Sequence, residues 1–386
     1  MYYLFDHFDT EDYYNIYSWI LFGFVIFGSL IIRYLASIDK IKYKRTDRNI
    51  LIIFVILVIL LFGTRGLKIG TDTWNYYYFY YLQGIQRTNL IDFFNYFDTD
   101  LIFEVIMYVT FPFKSFTFFI LTISIIINLS MYKFVRLYTN YGKSGSSLLL
   151  FFLIASSFVF FSHQVNTIRN GLAIPFVLFG VYYMIEKNYK LCFSFLFIAF
   201  LCHGTALIPI ACIIFAQIAK NIKLKYFFIL YFTAIGLAFI GFGFDKIWFL
   251  SSIGGEDFQR LVFQGETNYR IGFRPDFVVY NSLFLFLFLK LGDLKNRSNL
   301  FLIKYFILSS IIFYFNFNIP FSDRIGVYSW IAIPLLFYST INYTYPNKSL
   351  HYLTLITIGY FALNFMVIPA LSSSGSSDNI ESRQTN

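Results

Sequence analysis

Long apolar runs recur along the whole chain, and they constrain its fold more than any other feature. The runs 16–35, 227–244 and 350–370 reach or approach the roughly 20 residues that a helix needs to cross a hydrocarbon core. Only 13% of the residues are charged, about half the fraction that is usual in a soluble domain. The composition therefore predicts an all-α polytopic membrane protein.

About twelve helices are predicted to cross the membrane, at residues 16–35, 49–64, 115–135, 147–162, 170–186, 190–202, 205–220, 226–244, 276–291, 299–315, 325–341 and 350–370. They form a single transmembrane domain over residues 1–371, followed by a disordered polar tail over 372–386. Residues 101–113, which carry Glu104, are a shorter apolar stretch that predicts an interfacial or re-entrant helix.

His203-Gly204-Thr205 interrupts the apolar residues 190–220. One continuous helix there would be about 46 Å long and too long for an untilted span, so two short helices with a tight outer turn are predicted.

The charged residues predict the orientation of these helices. The N-terminal segment before the first run is acidic and contains no Lys or Arg, which excludes a signal-peptide n-region and predicts that this run is a retained spanning helix. The basic loop 40–48 follows it, so the positive-inside rule makes that loop cytoplasmic and the N-terminus external. Alternation then places most lysines inside, whereas arginine predominates outside, where the long loops 65–100 and 245–275 lie.

The net charge of +9 does not indicate a nucleic-acid partner, because the basic residues sit in short loops where they orient helices. The outer arginines have two interpretations. A planar guanidinium fork holds phosphate oxygens two at a time, but arginine also extends towards water at helix ends as lysine does. Cys192, Cys202 and Cys212 lie in apolar segments and are predicted to be small buried residues, without a disulfide framework or metal spacing.

Two polar constellations precede the middle of the chain on the predicted outer side. The first contains Arg65, Asp72 and Tyr76 within a Gly-Thr-Asp turn and an aromatic run. Asp72 is either a working carboxylate or a helix N-cap. The second runs from Ser162 to Ala173 and contains Asn166 and Arg169, where a loop enters a helix whose free N–H groups favour anions. A cation in that first turn is unfavourable with respect to the helix dipole unless an anion joins it, so Arg169 is a candidate functional residue, with a snorkelling arginine as the alternative.

Further candidates lie at three later outer positions. His203, at an apolar edge, either accepts a proton from a sugar hydroxyl or hydrogen-bonds a loop carbonyl. Arg324 follows Asp323 and is a candidate ligand clamp or part of a local ion pair. Arg270 and Arg274 lie in the loop 245–275, whose length suits a cap over a membrane-level site. No Walker loop, metalloprotease helix, paired CxxC or nucleophile elbow is present.

In this order, these constellations resemble the EpsG family and its Wzy-type relatives, the polymerases of bacterial O-antigen, capsule and exopolysaccharide. The resemblance is carried by Arg65-Gly-x-x-x-Gly-Thr-Asp72-x-x-x-Tyr76, the stretch with Glu104, Asn166-x-x-Arg169-x-x-x-Ala173, His203-x-Thr205-Ala-Leu and Arg324-Ile-x-x-Tyr328. Two departures are Asn170, where the family often has Gln, and Ile102-Phe103-Glu104, which lacks a Glu-Pro pair.

The resemblance implies a GT-C-like membrane glycosyltransferase of the bacterial inner membrane with its active face on the periplasmic or extracellular side. A growing glycan on undecaprenyl diphosphate would pass to the non-reducing end of a lipid-linked repeat unit, with no cofactor and no metal. Arg169, Arg324 and Arg270 or Arg274 would hold the departing diphosphate, and His203 or Asp72 would take the proton of the acceptor hydroxyl. The remaining residues assigned to substrate binding are Arg65, Tyr76, Asn166 and Tyr328.

The implied partners are the undecaprenyl-diphosphate-linked oligosaccharide, membrane lipid and a chain-length regulator. Two alternatives remain open. A flippase or transporter of lipid-linked oligosaccharide should place charges inside the spans and show two similar halves, which this sequence does not. An O-antigen ligase would share the topology and the style of chemistry, and only the resemblance separates it from a polymerase.

Overall fold

The computed structural model describes residues 8–87, 89, 92–93, 100–141, 145–246 and 271–367, and every regular element within them is helical. The longer helices, in chain order, are α1 (Thr10–Ile38), α2 (Lys40–Gly63), α3 (Leu101–Thr110), α4 (Phe116–Tyr141), α5 (Ser147–Ala155), α6 (Phe158–Val165), α7 (Ile168–Ile185), α8 (Tyr189–Cys202), α9 (Leu207–Ile218), α10 (Leu224–Phe239), α11 (Pro275–Leu291), α12 (Arg297–Phe315), α13 (Asp323–Trp330), α14 (Ala332–Thr344) and α15 (Ser349–Ala362).

Helix length decides how many of these elements are able to cross a bilayer unaided. Within the described residues, eight helices are long and apolar enough, and a ninth span results if the bent pair α5 and α6 is counted as one. A polytopic helical membrane protein is thereby confirmed, but with eight or nine such helices against about twelve predicted spans. The difference lies in α8, α10 and α11, which have 14, 16 and 17 residues. At about 1.5 Å per residue they are shorter than a hydrocarbon core of about 30 Å.

The described residues divide into two compact units. Unit 1 takes residues 1–175, 201–203 and 345–386, and α5 lies at its centre. Every residue of α5 is buried, and the helix packs against α2, α4 and α15, as expected for a helix that is apolar all round. After Ala155 the chain bends by 76° into α6. The hydroxyl of Tyr17 donates to the Ala155 carbonyl at 2.7 Å, which satisfies a carbonyl that this bend releases.

Unit 2 takes residues 176–200 and 204–344, and α12 is its central helix, in contact with α9, α10, α11, α13 and α14. A buried polar network joins three of these helices. Asn281 on α11 donates to the Ser310 hydroxyl at 3.1 Å and accepts from the Trp330 indole at 3.0 Å. Pairing of this kind removes the cost of burying an amide in an apolar interior.

The predicted break within residues 190–220 is confirmed. Helix α8 ends at Cys202, a 3-10 turn covers Gly204–Ala206, and α9 begins at Leu207. Gln217 near the end of α9 donates to the hydroxyl of Tyr189 at the start of α8 at 3.0 Å, so within unit 2 the two helices return alongside each other. The three cysteines are buried as predicted.

Candidate functional site

A buried arginine holds the start of the loop 65–100 within unit 1. The Arg65 side chain is buried, and its guanidinium donates to the carbonyl oxygens of Phe62 at 2.8 Å and Val165 at 3.3 Å. Its Nε donates to the Thr73 hydroxyl at 3.3 Å. Val165 is the last residue of α6, so the cation neutralises the negative end of that helix. The guanidinium of Arg65, a residue predicted to bind substrate, thus donates its hydrogen bonds to oxygen atoms of the protein itself.

Burial lowers the pKa of Arg65 to about 10, with the nearby phenols of Tyr13 and Tyr76 opposing the shift. The guanidinium therefore remains protonated at neutral pH, well below that pKa. Its positive charge holds residues 65–73 against the end of α6 at physiological pH.

Gly70 allows the loop to approach that helix end closely. Its φ is +89°, a left-handed conformation that glycine adopts without strain. A Cβ at this position would lie 2.3 Å from Cγ1 of Val165 and 2.6 Å from Oδ1 of Asn166. The next residue, Thr71, donates its backbone N–H to the same Asn166 oxygen at 2.8 Å. The Gly-Thr-Asp turn and the Asn166 motif, 95 residues apart, therefore meet.

Replacing Gly70 with alanine is expected to separate these two motifs. The positive φ and the clash of the added Cβ with the side chains of Val165 and Asn166 together should lower the free energy of unfolding by roughly 1–3 kcal/mol and displace the loop. Thermal unfolding in detergent and protease cleavage within residues 65–87 are the measurements. Gly23→Ala is the matched control, because a Cβ there meets nothing within 4 Å. Equal melting temperatures and cleavage rates for the two variants would contradict this account of Gly70.

A buried carboxylate joins two of the predicted catalytic residues. Oδ2 of Asp100 accepts from Nη1 of Arg169 at 2.9 Å and from Nδ1 of His203 at 3.0 Å. The Asp100 side chain is only 7% exposed, whereas those of Arg169 and His203 are 22% and 19% exposed. The carboxylate therefore lies beneath two cation-forming groups that remain partly open to solvent.

The helix junctions place these three side chains together. Asp100 directly precedes α3, Arg169 is the second residue of α7, and His203 directly follows α8. An arginine at the positive N-terminal end of a helix is unfavourable unless an anion accompanies it. Within the protein that anion is Asp100, and the charge-assisted contact is stronger because it is mostly buried.

Two tyrosines complete the surroundings of Arg169. Residues 73–85 continue helically after the turn, and the ring of Tyr80 in this segment lies with its centroid 5.4 Å from Cζ of Arg169. The Tyr76 side chain hydrogen-bonds to the same guanidinium. Tyr76, Arg169 and Asn166, all predicted to belong to the site, are therefore gathered in unit 1.

The geometry establishes neither role predicted for Asp72, that of a working carboxylate or that of a helix N-cap. It is half-buried at the N-cap position of the segment 73–85, but its side chain makes no capping hydrogen bond. Its Oδ1 accepts from the Thr71 hydroxyl at 3.4 Å. Glu104, on α3, is buried.

The other predicted site residues belong to unit 2. The Tyr328 hydroxyl and the Thr205 hydroxyl are 2.7 Å apart, which joins two motifs of the sequence. The Arg324 guanidinium lies 4.6 Å from the ring centroid of Phe321. Arg274 makes a two-point ion pair with Asp276, with contacts of 2.8 and 3.2 Å. Arg270 lies outside the described residues.

Asp100 is the site residue that the sequence analysis missed. It stands immediately before the apolar stretch 101–113, in which Glu104 is the residue that contributes to the family resemblance. A local signal exists, since an aspartate directly before a helix is typical of an N-cap. Here its side chain makes no cap hydrogen bond and is used by Arg169 and His203 instead.

Together the helices and this cluster define a multi-pass membrane protein that presents an arginine and a histidine around a shared carboxylate at helix junctions. Comparison with known protein families matches the EpsG family over residues 48–379. The chain belongs to the EpsG family, whose members are Wzy-type polysaccharide polymerases. Neither the curated proteins nor the solved structures gave a match.

Proposed function

We propose that this protein extends a glycan on the outer face of the bacterial inner membrane. A growing chain passes from undecaprenyl diphosphate to the non-reducing end of a lipid-linked repeat unit. Family membership supports a polysaccharide polymerase, and the shared contact of Arg169 and His203 with Asp100 is the observation that supports the detailed reaction.

The reaction forms one bond and breaks one. An oxygen of the acceptor sugar attacks the anomeric carbon of the donor glycan, and the bond from that carbon to the diphosphate oxygen breaks. The diphosphate leaves with the electron pair, and the hydroxyl proton must pass to a base. The protein therefore has to stabilise a developing anion and accept a proton.

His203 is the proposed base. Asp100 has only acceptor oxygens when ionised, so the 3.0 Å contact with Nδ1 of His203 requires the proton on that nitrogen. In the neutral ring, Nε2 then carries the lone pair that accepts a proton from the acceptor hydroxyl. Asp100 acts through His203 by fixing its tautomer and stabilising the imidazolium that forms, as in the aspartate–histidine pair of hydrolases. Asp72 is the alternative base.

Arg169 is the proposed contact for the diphosphate. A guanidinium has five N–H donors, and the recorded contact with Asp100 uses Nη1. Because the side chain is 22% exposed, a phosphate oxygen has access to it. The N-terminus of α7 adds its partial positive charge at the same position. Arg65 and Asn166 are proposed to hold the loop in place, with Tyr76 and Tyr80 beside the guanidinium.

The roles proposed for residues of unit 2 are supported by the resemblance of the sequence to the EpsG family. Arg324 is proposed as a second phosphate contact and Tyr328 as a substrate contact, and Arg274 and Arg270 as contacts in the loop 245–275. We further propose that α8, α10 and α11 complete about twelve crossings through local thinning of the bilayer and snorkelling of flanking side chains, in a GT-C-like arrangement.

Deletion of the gene tests the proposed function. A polymerase deletion is expected to abolish the ladder of long chains on a surface-glycan gel while single repeat units are still displayed, because linkage and export do not need it. Loss of all displayed glycan would instead indicate a flippase or a ligase and would overturn the proposal. A plasmid copy of the intact gene is the control, and it should restore the ladder.

A further inference from the structure

A cavity of about 530 Å³ lies within unit 2, and none of the residues assigned to glycan transfer lines it. It is formed where the ends of α7 and α9 meet the starts of α8 and α12. These helix ends are on the side that the positive-inside rule predicts to be cytoplasmic. The proposed glycan transfer takes place on the other side of the membrane.

Four basic side chains line this cavity: Lys187, Lys220, Arg297 and Lys304. Among the described residues that line it, none is acidic. In the Asp100 cluster, by contrast, a buried carboxylate meets the arginine. Like charges around one cavity repel each other, and an anion inside the cavity would relieve that repulsion.

Lys304 is the buried member of this group and is fixed in place. Its Nζ donates to the carbonyl oxygens of Ala219, Lys220 and Ile222, each at 2.8 Å. An ammonium group has three donors, so these bonds use its donor capacity while its charge remains at the cavity. Lys304 therefore holds the turn 219–222 that follows α9 and adds a fixed positive charge, leaving the more exposed Lys220 and Arg297 to contact a ligand.

The surroundings of the cavity are apolar. Ile218, 73% exposed, and Ile222, 50% exposed, flank Lys220 in the chain. Tyr189, at the cavity wall, is also exposed. Exposed aliphatic residues beside basic ones are typical of a membrane boundary, where acyl chains lie next to headgroups. A ligand with both an anionic group and hydrocarbon chains fits this combination better than a soluble anion.

We infer that this cavity binds the phosphate headgroup of an anionic phospholipid of the cytoplasmic leaflet. Basic pockets between transmembrane helices on that side are suited to such headgroups. The Lys220 ammonium and the Arg297 guanidinium contact the phosphate oxygens, and the acyl chains lie along Ile218 and Ile222. The inference does not depend on the chemistry at Arg169.

Lipid retention by the full-length protein tests this inference. The protein is purified in a neutral detergent, titrated with phosphatidylglycerol or phosphatidylcholine, and examined by native mass spectrometry. The wild type should retain phosphatidylglycerol in preference to phosphatidylcholine. Lys220→Gln with Arg297→Gln should weaken phosphatidylglycerol binding by about tenfold or more, because both cationic contacts to the anionic headgroup are lost.

The matched control removes two neighbouring charges that do not line the cavity, Lys223→Gln with Lys295→Gln, and should retain lipid as the wild type does. Lys304 is left intact because it holds the turn 219–222. If the double variant aggregates, Arg297→Gln is compared with Lys295→Gln alone. Equal retention by cavity and control variants, or no preference for phosphatidylglycerol, would overturn the inference. Displacement of the lipid by millimolar inorganic phosphate would assign the cavity to a soluble phosphate compound and would also overturn it.

Discussion

Replacing Arg169 with alanine is expected to stop chain growth at a single repeat unit while the protein remains in the membrane at its normal level. The departing diphosphate carries the negative charge that develops as the glycosidic bond breaks, and Arg169 is the guanidinium proposed to meet it. Removal of one such electrostatic contact typically slows a reaction by about 10²–10³-fold. After the substitution Asp100 keeps its 3.0 Å contact with His203, which limits the effect on folding because the buried carboxylate is not left without a partner.

Two matched variants separate the charge of Arg169, its planar geometry and the general effect of losing an arginine. Arg169→Lys keeps the positive charge but loses the planar fork, so short chains are expected. Arg87→Ala removes an arginine of the loop 65–100, whose Nη1 donates to the Gln83 carbonyl at 2.7 Å, and should leave the ladder intact. Surface-glycan gels and membrane immunoblots give the two readouts. Chains of normal length from Arg169→Ala would rule out the role assigned to this residue.

Replacing Asp100 with asparagine is expected to slow elongation by about 10²–10⁴-fold with little change in side-chain volume. An asparagine amide is able to donate to Nδ1 of His203, which moves the ring proton to Nε2 and removes the lone pair needed for proton transfer. Elongation is measured as the rate at which membranes containing the variant lengthen added lipid-linked repeat units. The corresponding rate for Asp100→Glu, which keeps a carboxylate, should lie between those of Asp100→Asn and the wild type.

A double variant distinguishes a residue that acts through His203 from one that only supports the fold. If Asp100 works by setting the tautomer of His203, then Asp100→Asn should cause a much smaller loss of rate when added to His203→Ala than it causes alone, and the remaining loss reflects its contact with Arg169. A purely structural role would give losses that multiply and a lower melting temperature in detergent. Independent, multiplying losses would therefore exclude the proposed Asp100–His203 pair, whereas full activity of His203→Ala would transfer the base role to another residue such as Asp72.

The sequence determined where the long helices lie along the chain, but it determined their ends less closely. The predicted span 299–315 lies within α12, Arg297–Phe315, whereas the span 115–135 stops short of the end of α4, Phe116–Tyr141, and the span 49–64 begins well after the start of α2, Lys40–Gly63. Hydropathy is a local property and is summed over a window about as long as the element it predicts. The break at His203 followed in the same way, since an apolar run too long for a single span must turn.

The local sequence did not determine how many of these helices are long enough to cross the membrane alone. Runs such as 226–244 were predicted from apolar content, but α10 ends at Phe239 and the chain then turns through Gly241, whose φ is +75°. Helix ends depend on backbone turns and on packing as well as on hydropathy. The bend of 76° after α5 is likewise a property of the packed unit, in which this helix is buried on every side.

Composition and motif order identified a helical membrane protein of the EpsG family, together with its arginine and histidine candidates, because those signals lie within short stretches of chain. Only the tertiary structure placed Asp100 between Arg169 and His203, partners 69 and 103 residues away, and buried Arg65 against α6. The physical reason is that an ion pair depends on distance in space, and folding brings together charges whose separation along the chain carries no signal of their contact.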